Sequence, residues 1–203
     1  MAAHAESHDL GHEHHGPPAA NISSGVDSRV LGMFLFIASE VMLFGSFFTA
    51  YFFVRVVAGS PWPEPPFHLP VFVAGVNTAI LVTSSFTIHW ALQSIKKDNR
   101  AGLQAGLVLT IALGLVFLLT QFREYSRIGF APSDGAFGSI FFGLTGLHGA
   151  HVFVGLTLLT FAAIRSFRGH FSAAHHHGVE IPGIYWHFVD VMWIVVYTTI
   201  YIL

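Results

Sequence analysis

The chain has 203 residues, 53% of them hydrophobic and only 10% charged, with a net charge of −2 and no cysteine. A soluble domain carries about 25% charged residues, so this deficit, with a mean hydropathy of +0.63, argues for a membrane protein. The small net charge speaks against a nucleic-acid partner. The missing cysteines exclude disulfides, thiolate metal sites, haem attached through a cysteine pair and a binuclear copper site built on two cysteines.

In chain order, residues 1–28 are polar and carry His4, His8, His12, His14 and His15 ahead of Pro17-Pro18. They contain no apolar signal-peptide core and predict a disordered, His-rich cytoplasmic tail. Five apolar stretches follow, near 30–57, 69–95, 102–122, 137–164 and 182–203. Each reaches the length of about 20 residues that a membrane-spanning helix needs. The breaks "AGSPWPEPPFH", "KKDNR", "REYSRIGFAPSDG" and "RSFRGHFSAAHHHGVEIPG" are rich in Pro, Gly or charge, as breakers are. Ser133-Asp134 reads as the N-cap of the fourth helix. The expected fold is all-α: a polytopic antiparallel bundle of five transmembrane helices over residues 29–203.

Lys and Arg set the orientation. Arg29, Lys96, Lys97, Arg100, Arg165 and Arg168 fall on the side of the N-terminus; Arg55, Arg123 and Arg127 fall on the other. The excess predicts a cytoplasmic N-terminus and a C-terminus outside.

Ionisable groups inside a bilayer are costly and mark functional candidates. Here they are Glu40, His148, His151, His187 and Asp190. With a rise of about 1.5 Å per residue, Glu40 lies about 16 Å deep, His151 about 21 Å and Asp190 about 12 Å. Residues three apart share a helix face, so His148 pairs with His151, and His187 with Asp190. Each is read either as a hydrogen-bonding residue between helices or as part of a proton- or lipid-handling site. Glu40 is expected to bond His151, or His148 one turn away, with His187 and Asp190 forming a separate contact nearer the cytoplasm. Neither the deep histidines nor His89 near a span end have metal-ligand spacing, so no metal site is expected. The tail and His175-His176-His177 are read as solvated. No nucleophile–base pair and no phosphate-cradling loop occurs. On the residues alone, the alternatives are a small transporter or a subunit supporting another chain's chemistry. A transporter would show internal repeats and interrupted spans, and neither is evident.

The stretch "YWHFVDVMWIVVYTTIY" resembles the last helix of subunit III of haem-copper terminal oxidases. "GMFLFIASEVMLFGSFFTAYF" resembles that family's carboxylate-bearing helix, with Glu40 at its membrane glutamate. "NTAILVTSSFTIHWA", "LLTQFREY", "SDGAFGSIFFGLTGLHGAHVFVGL" and "HFSAAHHHGVEIPGIYWHFVD" follow the family in order, over residues 29–203. The resemblance implies a cofactor-free subunit in a bacterial inner membrane. It would dock on subunit I, which bears the haem and copper, and stand with subunit II. It implies bound phospholipid, with Arg165, next to Arg168, at a lipid phosphate. It also implies support of stability and of proton uptake by subunit I. The chain departs from the seven-helix members in lacking their first two helices, and it reads Leu92-Gln93 after Trp90-Ala91 where the family often has histidine. Tyr185-Trp186 and Glu40 lean towards the cytochrome c type over the quinol type. The related accessory subunit of nitric oxide reductases shares the helix pattern and is the alternative.

Overall fold

The computed structural model describes residues 28–58, 62, 69–173 and 176–203. The expected tail therefore lies outside the described residues apart from Ser28, which opens the first helix, and so does His175. The elements are α1 (Ser28–Ala58), α2 (Val71–Lys96), α3 (Arg100–Tyr125), α4 (Ala136–Phe167) and α5 (His177–Tyr197). The last helix ends in a π-helical turn, Thr198–Ile202. All five helices are long and apolar enough to cross a membrane. The chain is a multi-pass membrane protein.

Helices α2, α3, α4 and α5 form a closed ring in which each packs on the next and α5 returns to α2. The tightest pair is α2 with α3. A Cβ on Gly106 would stand 2.6 Å from the Ala91 Cβ, and one on Gly102 would stand 2.5 Å from the Ser94 Oγ. Small residues let membrane helices approach this closely and gain dispersion contacts. The hairpin between them turns at Asp98, whose φ of 58° is left-handed. Asn99 then caps α3, its side chain accepting from the Gly102 N–H at 3.0 Å.

Helix α5 is the most enclosed element, burying eleven of its 21 residues, among them Trp186, Val189 and Trp193. Helix α1 is the opposite case. It buries only Phe44 and Tyr51 and lies outside the ring, in the groove between α4 and α5. Phe34, Leu35, Phe53 and Val56 stand exposed on its outer face, the surface a helix presents to lipid or to a partner.

Two local expectations fail. Helix α5 begins at His177 rather than near 182, and Pro182 lies inside it. Proline there removes one bond, to the Gly178 carbonyl, and so close to the helix start a single lost bond does not break the helix. The cap of α4 is Gly135, with φ 116°, not Ser133-Asp134. The Asp134 carboxylate is already committed to the loop, accepting from the Ala131 N–H at 2.7 Å.

Candidate functional site

The structure brings Glu40 and His151 together across α1 and α4. Glu40 Oε2 lies 3.0 Å from His151 Nε2. His151 Nδ1 lies 2.8 Å from the Leu147 carbonyl one turn back. A carbonyl only accepts, so Nδ1 carries a proton. Nε2 and Glu40 then share one further proton between them, as imidazole with carboxylic acid or as imidazolium with carboxylate. Phe44 lies 5.0 Å from the imidazole, centroid to centroid. Tyr185 stacks on it at 6.5 Å and 21° and donates its hydroxyl to the His151 carbonyl at 3.4 Å. The pair is thus walled by aromatic rings, with the side chains 11% and 17% exposed.

His187 and Asp190 meet through a residue the sequence did not single out. Ser85 of α2 donates its hydroxyl to Asp190, and its oxygen lies 3.1 Å from His187 Nδ1. One hydroxyl thereby joins both groups of α5 to α2. Ring contacts pair Tyr185 with Phe36 and Phe188 with Phe44. His187 is therefore level with Glu40, and Asp190 lies beyond it. The expectation that both sit nearer the ends carrying Arg29 is corrected. It rested on an α5 start five residues too late, and each residue moves the depth by about 1.5 Å.

The two tryptophans flanking these groups are ties to the same helix. Trp186 Nε1 donates to Ser84 Oγ at 2.9 Å, and Trp193 Nε1 donates to Thr78 Oγ1 at 2.9 Å. His148 does not join Glu40. It is 1% exposed, enclosed by Trp193 at 4.8 Å and Phe117 at 5.7 Å, and neither ring nitrogen has a hydrogen-bond partner among the described residues. The deep histidines therefore do not converge. Among the described residues no group of three or more His, Asp or Glu side chains is placed to hold a metal ion. These residues do not fit a haem or copper centre.

At the end carrying Arg29, a cavity of about 370 Å³ is lined by Arg29, Arg165, His170, Phe171, His177, Gly178 and Ile181. The Arg165 guanidinium carbon lies 5.5 Å from the Phe171 ring centre, within cation–π range. Arg168 is not part of this cavity; it is the exposed C-cap of α4. Sequence reasoning found Arg165 but not Arg29, His170 or His177, which come from separate elements and meet only through folding.

The family model for cytochrome c oxidase subunit III matches residues 7–203. Cytochrome c oxidase subunit 3 of Thermostichus vulcanus is 43% identical over 178 residues, covering 87% of this chain and 88% of the relative. The subunits 3 of Oryctolagus cuniculus and Equus caballus are 43% and 42% identical over 176 residues, covering 84% of this chain and 67% of each relative. Five membrane-crossing helices, a carboxylate–imidazole pair between two of them and this extent of matching sequence lead to one assignment: the chain belongs to the cytochrome c oxidase subunit III family.

Proposed function

We propose that the chain is the non-catalytic subunit III of a bacterial haem-copper oxidase. It keeps the catalytic subunit stable, holds phospholipid beside it and sustains its proton uptake. The observation behind this reading is that four of the deep ionisable side chains are spent in ties between helices, Glu40 on His151 and Ser85 on His187 and Asp190, while His148 stands apart from them among aromatic rings. Among the described residues they do not converge on a reacting centre. Haem and copper, held by partner subunits, supply the oxygen chemistry; this chain's residues position helices. The names of its relatives favour cytochrome c over quinol as the electron donor. The test is the oxidase purified with and without this chain. The expected outcome is similar initial turnover and a much shorter active lifetime without it. An unchanged lifetime, or a chain that copurifies with no haem- and copper-bearing subunit, overturns the reading.

The basic cavity is the proposed phospholipid site. Arg165 suits a phosphate because its planar fork donates two bonds at once. Arg168 adds positive charge at the exposed helix end. Arg165→Ala is expected to lower the phospholipid retained by the purified oxidase, measured by native mass spectrometry. Unchanged retention would show that Arg165 only anchors the helix end.

The N-terminus is proposed to lie in the cytoplasm and the C-terminus outside, from the Lys and Arg excess at one end. A C-terminal tag is then expected to be cut by protease added to intact spheroplasts of an inner-membrane host. A tag cut only in inverted vesicles reverses the topology.

A further inference from the structure

Helix α2 carries three polar residues at a spacing of four, Ser85, His89 and Gln93, which share one face. His89 and Gln93 are exposed on this chain, and Ser85 and His187 are partly exposed. His89 lies within electrostatic reach of His187 across the groove between α2 and α5. The four side chains form a polar seam running inward from the Lys96 end. By helix rise, Gln93 stands about 5 Å from Lys96, His89 about 10 Å and Ser85 about 16 Å. The seam therefore enters the hydrocarbon.

Exposed serine and threonine hydroxyls on the helices are treated differently. The exposed hydroxyls of Ser39, Ser46, Thr49, Thr83 and Thr157 each donate to a carbonyl three or four residues back in their own helix. Lipid meets no open donor there. Among the described residues, His89 and Gln93 hydrogen-bond only each other, at a long 3.4 Å. An amide and an imidazole hold more hydrogen-bonding groups than one such contact uses, and unsatisfied groups in hydrocarbon are expensive. The aromatic side chains Phe86 and Trp90, 72% and 49% exposed, flank them on the same helix. Aromatic side chains are enriched at protein interfaces, and hydrogen-bonding side chains such as histidine and glutamine join membrane helices to one another.

We infer that this α2–α5 seam is the docking surface for a transmembrane helix of another oxidase subunit, one that presents hydrogen-bonding side chains to His89 and Gln93. The inference rests on the proposed role as an oxidase subunit and adds the face that meets the partner.

A photo-reactive benzophenone amino acid placed at position 89, and in a second variant at 93, tests it in the assembled oxidase. Both positions lie on this chain's surface, so the bundle itself tolerates the change. Illumination is expected to convert free chain into a covalent adduct with another subunit from both positions. Adducts with phospholipid alone, or no adduct from either variant, would overturn the inference while leaving the subunit assignment standing. A chain that copurifies with no other subunit would remove both.

Discussion

Trp186→Ala is expected to destabilise the bundle by about 3 kcal/mol, the low end for emptying a buried large aromatic site. The indole is fully buried and lies where three other helices close in. A Cβ on Gly114 of α3 would stand 2.6 Å from the ring, and one on Gly155 of α4 would stand 2.8 Å from it. Its N–H is fixed to Ser84 of α2. In a bilayer the released surface meets lipid rather than water, so the water-transfer part of the cost shrinks. The lost packing and the cavity remain. The converse change, Gly155→Val, adds atoms where a rigid ring already stands, and overpacking of this kind costs about 1–3 kcal/mol. Thermal release of the chain from the purified oxidase, followed by native mass spectrometry, reads both. A Trp186→Ala midpoint equal to that of the wild type would mean that the ring is not what closes the ring of helices.

Glu40→Ala is expected to shorten the active lifetime of the oxidase, whereas Glu40→Gln leaves initial turnover and proton pumping largely intact. Glutamine keeps the size and can still bond His151 Nε2; alanine leaves that nitrogen without its partner. Hydrogen bonds between membrane helices average about 0.6 kcal/mol and reach about 1.7 kcal/mol, which is little for a bundle. It matters here because α1 buries only Phe44 and Tyr51 and is otherwise held by contacts at its margins, such as Arg55 donating to the Leu203 carbonyl at the far end. A double-mutant cycle with His151→Ala should return a coupling in that range. A Gln variant whose pumping fails from the first turnover would make Glu40 a proton carrier instead of a tie. A coupling near zero would remove the tie itself.

How much of this is legible in the sequence follows from what the bilayer forbids. A helix in lipid must be apolar over its length and must break in polar loops, so the five spans and their order are plain. Only the start of α5 is obscured, because Pro182 is a breaker in water and a single lost bond near a membrane helix end. Glu40 and His151 stand out for the same reason: each is too costly to be there unpaired, and similar depth suggests the partner. Ser85 does not stand out, because serine can satisfy itself on its own helix at little cost. Its neighbour Ser84 donates to the Leu81 carbonyl in this way. The basic cavity is invisible in one dimension, since Arg29 and Arg165 are far apart in the chain and no periodicity links them.

The separation of the Glu40–His151 pair also sets a clock for biosynthesis. The two residues lie 111 positions apart, and a ribosome adds about 5–20 residues per second. After Glu40 enters the translocation machinery, roughly 6–22 s pass before His151 follows it. Helix α1 spends that interval with a carboxyl group at membrane depth and with neither of its docking helices yet in place. The nascent chain must keep Glu40 in a hydrated or protein-lined setting, or keep it protonated, until α4 arrives. Slowed translation between α1 and α4 would lengthen the exposure, and quality-control proteases would encounter this subunit first through its opening helix.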